Sequence, residues 1–227
     1  PVVAIFGLYV GSGNSYTTAQ QTDLINYFKN QGVYVIGAGR HTQTPSQYAN
    51  ANLHDAYIPW QGYWWGGNSF APNEAILNGT ADHIPHIFPG FSWTHLQNDD
   101  TATSISREDG EFYWRMISDA ANETNAPWYF IGMFDEYDEA TNIIPATDDP
   151  PVPDTDGQGD PLTYQISDPR PNDWWMALTG QAKQALQDKI TINDTMPTEA
   201  ELENRANVGG EVVWQGQPVD KDAPLPV

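Results

Sequence analysis

Short apolar runs that alternate with longer amphipathic stretches are the feature of this sequence that most limits its fold. Five runs have the length and the Gly or Pro boundaries typical of strands buried on both faces, as in parallel sheets. They cover residues 2–8, 33–37, 55–60, 86–93 and 128–134. Since such strands need helices packed against the sheet, the pattern predicts βα units with right-handed crossovers.

Helical periodicity appears between and after these runs. In residues 17–30, Leu24, Ile25 and Phe28 recur at helical spacing behind a threonine-rich start, and Gly32 follows as a stop signal. The same reasoning predicts helices over 71–77, 111–121 and 172–188. Because no glycine-rich nucleotide fingerprint follows any strand, a doubly wound cofactor domain is disfavoured, and the sequence predicts an α/β fold of the (β/α)8 TIM-barrel class.

The charge and composition of the chain restrict its partners. The formal net charge is -21, from 30 Asp and Glu against 9 Lys and Arg, so most of the surface repels polyanions. We therefore expect no nucleic-acid partner and no membrane partner, and no apolar run approaches the roughly 18 residues of a membrane helix. The absence of cysteine excludes disulfides, thiolate metal sites and a cysteine nucleophile.

Three N-x-[ST] sequons suggest a secretory route. They begin at Asn78, Asn122 and Asn193, and each is an acceptor site for N-glycosylation where it is exposed. The chain starts at Pro1 with neither an initiator Met nor a signal peptide, from which we expect processing or truncation. We predict a secreted, extracellular glycoprotein.

Aromatic and polar side chains follow the predicted strands, where the active site of a βα barrel lies. The chain has nine Trp, and an indole can stack on a sugar ring while its N–H binds a hydroxyl. The candidate sugar contacts are His41 after strand two, Trp60 and Trp64 after strand three, and Trp93 and His95 after strand four. Core packing remains the alternative for each Trp, and plain loop structure for His41 and His95. His86, inside an apolar run, is interpreted as a core histidine.

Four carboxylates directly follow the fifth apolar run, at Asp135, Glu136, Asp138 and Glu139. They repel one another and resist desolvation, so folding alone does not favour them there. Glycosidic cleavage requires such a pair: a neutral acid to protonate the leaving oxygen, and an ionised base or nucleophile. The alternative is a metal-binding or merely solvated acidic loop. Since no spaced histidine motif supports a metal site, we expect neither a metal nor a cofactor.

Residues 135–141, Asp-Glu-Tyr-Asp-Glu-Ala-Thr, resemble the Asn-Glu-Trp-x-Glu-Gly-Thr motif that ends the last barrel strand in glycoside hydrolase families 71 and 99. Pro-Gly-Phe-Ser-Trp at 89–93 and Arg-Glu-Asp-Gly-Glu-Phe-Tyr-Trp at 107–114 are similar to these families too. The chain departs from the motif at Asp135, Tyr137 and Ala140.

The resemblance runs from residue 1 to about 190, and it implies that residues 1–190 form the carboxyl-terminal part of the barrel. This part contains about the last five βα units, so another chain or the same precursor would supply the missing amino-terminal barrel half. Residues 191–227 are expected to form an acidic tail or the start of an appended segment.

The resemblance further implies hydrolysis of an α-linked polysaccharide or glycan, of the α-mannan or α-glucan type. In family 99 the first motif Glu deprotonates the sugar 2-hydroxyl, which closes on the anomeric carbon, while the second Glu serves as acid and then base. Carried over, these are Glu136 and Glu139. Asp135, Tyr137 and Arg107 are further candidate substrate contacts. The alternative for Asp135 is cation binding, and the alternatives for Arg107 are a bond to a site carboxylate and a structural salt bridge. The alternative function is a catalytically inactive, lectin-like relative that binds carbohydrate.

Overall fold

The computed structural model describes residues 1–6, 17–40, 53–60, 62–65, 67–77, 79–97, 99, 101–144, 170–171, 173–187 and 190–206. The chain divides into two compact units, Pro1–Met196 and Pro197–Val227. The predicted site residue His41 and the Asp- and Pro-rich segment 145–161 lie outside the described residues.

Parallel strands form the centre of the first unit. Strands β1 (Val2–Phe6), β2 (Tyr34–Arg40), β3 (Ala56–Trp60) and β4 (Asp82–His83) lie side by side in that order. After Ile84 and Pro85 the chain continues into β5 (His86–Ile87), which pairs in parallel with β8 (Phe130–Ile131). Pro85, which has no N–H to donate to a ladder, lies between β4 and β5 in the chain. In the described residues, β4 and β5 together take the fourth strand position and β8 the fifth.

Helices connect these strands, as the sequence pattern predicts. They are α1 (Thr18–Asn30), α2 (Gly62–Trp65), α3 (Ala71–Leu77), α4 (Thr94–Gln97), α5 (Glu111–Glu123) and α6 (Trp174–Leu186). Helix α1 begins with a capping box, in which the Thr17 side chain accepts from the Gln20 N–H and the Gln20 side chain accepts from the Thr17 N–H. A 3₁₀ turn at Glu108–Gly110 leads directly into α5.

The two faces of the sheet are packed differently. On the outer face, Val3 and Ile5 of β1 pack with Val35 against Ile25 of α1. On the inner face, the side chains form a second cluster, made of Ile36, Ala38, Ala56, Ile58 and Ile84 with Tyr34 and Phe130 at its margin. Since successive side chains of a strand point to opposite faces, Val2 and Ala4 belong to the inner face.

Two predicted strands differ from the observed ones. The run 86–93 was expected to be one strand, but only His86–Ile87 joins the parallel set, and Phe91–Ser92 forms β6, which pairs antiparallel with β7 (Ser104–Ile105). The break falls at Pro89 and Gly90, where the chain turns away. The run 128–134 contains only two paired residues, Phe130–Ile131. The α/β prediction with parallel strands is confirmed.

The second unit is described over residues 197–206, where helix α7 spans Glu199–Ala206. Thr198 and Glu201 form a capping box: the Thr198 N–H donates to Oε2 of Glu201 over 2.8 Å, and the Glu201 N–H donates to Oγ1 of Thr198 over 3.4 Å. Across the described part of the chain, none of the helices has the length and apolar character needed to cross a bilayer.

Candidate active site at the ends of the strands

The loop after β8 folds back on itself through main-chain hydrogen bonds. The Thr141 N–H donates to the Glu136 carbonyl over 3.1 Å, and the Ala140 N–H donates to the Tyr137 carbonyl over 3.0 Å. The Met133 N–H, at the base of the loop, donates to the Thr141 carbonyl over 3.0 Å. Residues 136–141, named the glutamate turn below, therefore form a closed turn that begins and ends beside the strand.

The four carboxylates of this segment are not equivalent. Glu136 and Glu139 are half-buried, whereas Asp135 and Asp138 are exposed. Oε1 of Glu136 accepts the backbone N–H of Asp138 over 2.9 Å, which fixes the side chain against its own turn. The turn thus holds two glutamates partly out of solvent and leaves two aspartates in it.

Glu139 is held by the segment after β5. Its Oε1 accepts the indole N–H of Trp93 over 3.2 Å, and its carbonyl accepts the N–H of Ser92 over 2.8 Å. Both the side chain and the main chain of Glu139 therefore contact the end of a neighbouring strand segment. Trp93 itself remains 38% exposed, so part of its indole is accessible to solvent.

Ala140 stands where the related motif has glycine, and its backbone has a conformation that glycine adopts without strain. Its φ is +51°, in the left-handed region that costs an L-residue about 1–2 kcal/mol. Ala140 is buried, and the turn keeps it in this conformation directly after Glu139.

Arg107 reaches the same turn from the segment before α5. One guanidinium nitrogen, Nη2, donates to the carbonyls of Ala140 and Asn142 over 3.0 Å each and to Oδ1 of Asn142 over 2.7 Å. Its Cζ lies 4.7 Å from the centroid of the Trp175 ring of α6. Arg107 therefore contacts the main chain that carries the glutamates.

Trp60 packs against other aromatic rings at the carboxyl end of β3. Its ring lies 4.2 Å from that of His86 with an interplanar angle of 25°, and 5.8 Å from that of Phe130. His86 is fully buried, and burial lowers the pKa of its imidazole from 6.5 to about 3. The interpretation of His86 as a core histidine agrees with this environment, and Trp60 lies over it half-buried.

Apolar side chains are exposed around the glutamates. Phe134 is 52% exposed, and Met133, Tyr137 and Trp93 are exposed to a similar but smaller degree. Phe134 is anchored through its carbonyl, which accepts from the N–H groups of Ile143 and Ile144. An exposed apolar surface beside carboxylates suits a sugar ring, which has apolar faces and polar edges.

The side chains of three predicted sugar contacts lie outside the described part of the structure. His41 lies outside the described residues, while Trp64 lies in α2 and His95 in α4, with side chains that are not described. Among the residues that the structure describes, there is no group of three or more His, Asp or Glu arranged to hold a metal ion.

Sequence reasoning missed Asn142, Ser92 and Phe134. Asn142 is 1% exposed and binds Arg107 through its side chain and its carbonyl, while Ser92 donates to Glu139 through its main chain. Neither contact has a sequence signal, because each depends on a partner tens of residues away. Phe134 could have been found as an aromatic residue adjoining the carboxylates at a strand end.

The solved structures that this chain resembles include two of a glycoside hydrolase and one of a glycoside hydrolase-like protein. Two structures of a glycoside hydrolase family 99 endo-α-mannosidase from Bacteroides thetaiotaomicron, one in complex with bis-tris propane, align with TM-scores of 0.54 and 0.51 at 15% and 16% identity. A glycoside hydrolase-like protein aligns with a TM-score of 0.51 at 13% identity. No family model and no curated protein matches the chain.

The alignments cover 81%, 80% and 80% of this chain, and 70%, 65% and 53% of the three others respectively. The chain thus spans about two thirds of the mannosidase and about half of the hydrolase-like protein. Its fold is that of part of a (β/α)8 barrel, which confirms the predicted class.

Proposed function

We propose that this chain carries the catalytic carboxylates of a glycoside hydrolase, with Glu136 and Glu139 as the reacting pair. The observation that carries the proposal is the glutamate turn: it keeps these two side chains half-buried at the strand ends, with Glu139 bonded to the partly exposed Trp93. In a βα barrel this is the position of the active site.

The two glutamates take different roles, which follow from the resemblance of residues 135–141 to the family 99 motif. Glu136 is bonded within its own turn and takes the proton of the sugar 2-hydroxyl, whose oxygen closes on the anomeric carbon. Glu139, bonded to Trp93, gives its proton to the departing glycosidic oxygen. It then takes a proton from the water that opens the anhydro ring, and the 2-oxygen recovers its proton from Glu136.

The substrate is proposed to be an α-linked mannan, glucan or glycan, and the protein to be secreted. Support for the sugar comes from the exposed rim of Trp93, Phe134 and Tyr137. Asp135 is proposed as a further contact, whereas Arg107, predicted as one, donates to the main chain of residues 140 and 142. Support for secretion comes from the sequons at Asn122 and Asn193, since both asparagines are exposed and thus accessible to glycosylation.

Reducing-end release from a panel of α-mannans and α-glucans tests the proposal, on protein expressed from its complete reading frame. Glu136→Gln and Glu139→Gln should each abolish release, because neutral amides neither accept nor supply the required protons. Glu111→Gln is the matched control, since Glu111 is an exposed carboxylate in the first turn of α5. Unchanged release in Glu139→Gln would refute the assignment.

The sugar-binding alternative is separated by the same panel. If no polysaccharide is cut, but one binds and Trp93→Ala weakens that binding, the chain is a lectin-like relative. A partly exposed Trp93 suits both functions, so only hydrolysis distinguishes them.

We further propose that another segment, on this polypeptide or a partner, completes the barrel beside β1. Val2 is 56% exposed and Ala4 is also exposed, although both belong to the inner face, where β2 and β3 are buried. Alternate amides of a free strand edge lack ladder partners. They should exchange rapidly with deuterium in the chain alone and slowly in the completed barrel; slow exchange at every β1 amide in the chain alone would contradict this.

A further inference from the structure

We infer that Arg107 is a positioning residue that sets the placement of Glu136 and Glu139 through the main chain of the glutamate turn. This inference rests on the proposed hydrolase function. Arg107 donates to the carbonyl of Ala140, the residue directly after Glu139, and to both the carbonyl and the side chain of Asn142. These hydrogen bonds hold the carboxyl-terminal end of the glutamate turn, which contains both reacting glutamates.

The oxygens that accept these bonds belong to buried residues, so loss of the donor is expected to destabilise the local structure. Ala140 and Asn142 are buried, so their carbonyls do not readily exchange Arg107 for water. Leaving buried acceptors without a donor destabilises the local structure more than the bond itself stabilises it. The turn is therefore expected to move when Arg107 is removed, rather than to stay in place with vacant acceptors.

Arg107 is itself fixed, so it can serve as an anchor. Its guanidinium lies over the ring of Trp175, which is buried in α6. On the other side, a Cβ at Gly90 would come within 2.7 Å of Cγ of Arg107, so only glycine leaves room for the stem there. The arginine thus connects α6, the segment after β5 and the turn after β8.

The turn needs such an anchor because its own strand is short. Strand β8 pairs over only two residues, Phe130–Ile131. Ala140 adopts a positive φ, a conformation that persists where surrounding contacts impose it. The contacts from outside the loop that hold the turn include Ser92 and Trp93 at Glu139 and Arg107 just beyond it.

Arg107→Ala tests the inference against Arg115→Ala. Arg115 is the matched control, because its guanidinium also lies over an aromatic ring, that of Phe112, but its ion pair with Glu108 is exposed. Backbone amide exchange is measured first. Arg107→Ala should accelerate exchange at Ala140 and Thr141, whose N–H groups close the turn, whereas Arg115→Ala should not.

Kinetics on the polysaccharide found to be cut form the second measurement. Arg107→Ala should lower kcat about 100-fold, the size expected for a displaced reacting group, with little change in KM, because the exposed rim remains. Guanidinium ion added below denaturing concentration should restore part of kcat. If Arg107→Ala fails to fold, Arg107→Lys, which keeps the charge but not the planar fork, replaces it.

The outcomes separate this inference from the proposed function. Faster exchange at the turn together with a loss of kcat that guanidinium reverses supports it. Equal effects of Arg107→Ala and Arg115→Ala, or a rise in KM alone, overturn it. Faster exchange in a protein that cuts no polysaccharide overturns the proposed function and, with it, the positioning role in catalysis.

Discussion

The indole nitrogen of Trp93 lies 3.2 Å from Oε1 of Glu139, and this contact joins two segments that are 46 residues apart. Trp93 ends the Pro-Gly-Phe-Ser-Trp segment after β5, and Glu139 lies in the acidic segment after β8. Because β5 and β8 are neighbours in a parallel pair, their carboxyl ends meet on one side of the sheet. The fold thereby brings together two segments that the sequence shows only separately.

Replacing Trp93 should separate its two roles. Trp93→Phe keeps an aromatic face but loses the N–H that binds Glu139. We therefore expect the activation free energy to rise by about 1 kcal/mol, which lowers kcat roughly fivefold, with KM nearly unchanged. Trp93→Ala should in addition weaken sugar binding by about 1 kcal/mol. Initial rates and binding isotherms on the same polysaccharide measure both effects. A Trp93→Phe variant that weakens binding as much as Trp93→Ala would contradict this division.

The sequence predicts strands and helices well where one local signal decides them. Helix α3 was predicted with its observed bounds, and α1 begins one residue after its predicted start, at the capping box of Thr17. Both depend on periodicity and on residues within one helical turn of each other. The same holds for the apolar runs of β1, β2 and β3.

The sequence predicts less where pairing partners are distant. Phe91 and Ser92 continue an apolar run that starts at His86, yet they pair with β7 in a separate ladder. Likewise, Arg107 was predicted to contact a substrate hydroxyl or a site carboxylate, or to form a salt bridge, and its contacts with Ala140 and Asn142 depend on how the segment before α5 and the turn meet in space. The carboxylates themselves could be predicted, because their cost of desolvation at a strand end is visible in the sequence.

Ala140→Gly should leave stability nearly unchanged, in contrast to an ordinary Ala→Gly substitution. Relief of the positive φ contributes about 1–2 kcal/mol, which offsets the roughly 0.5–1 kcal/mol of added chain entropy and the roughly 0.8 kcal/mol of lost methyl burial. Ala120→Gly is the control, because Ala120 is fully buried within α5 and has no strain to relieve. Urea unfolding should show a loss of about 1–2 kcal/mol for the control; equal losses would refute the strain at Ala140.

Gly132→Ala should destabilise the protein because a Cβ there would overlap the ring of the buried His86. Overfilling a packed interior typically costs about 1–3 kcal/mol. Gly180→Ala is the matched control, since a Cβ at Gly180 in α6 meets nothing within 4 Å and should stabilise the helix by about 0.5–1 kcal/mol. Thermal unfolding of the two variants should shift in opposite directions, and a shift in the same direction would contradict the packing at Gly132.

His86 should make the protein less stable as the pH falls below neutrality. Burial lowers the pKa of the imidazole from 6.5 to about 3. At a pH between these two pKa values, the imidazole is protonated in the unfolded chain and neutral in the folded chain. Stability therefore falls with decreasing pH throughout this window, by about 1.4 kcal/mol per pH unit at most. His86→Phe keeps a ring against Trp60 but cannot titrate.

The measurement is the free energy of unfolding in urea at pH 7 and at pH 4 for both proteins. Carboxylates titrate alike in the two, so the difference between their pH dependences isolates His86. The variant should lose less stability on acidification, whatever its absolute stability at pH 7. Equal losses would show that the imidazole takes up its proton in the folded state, and hence that water or a partner reaches the ring beneath Trp60.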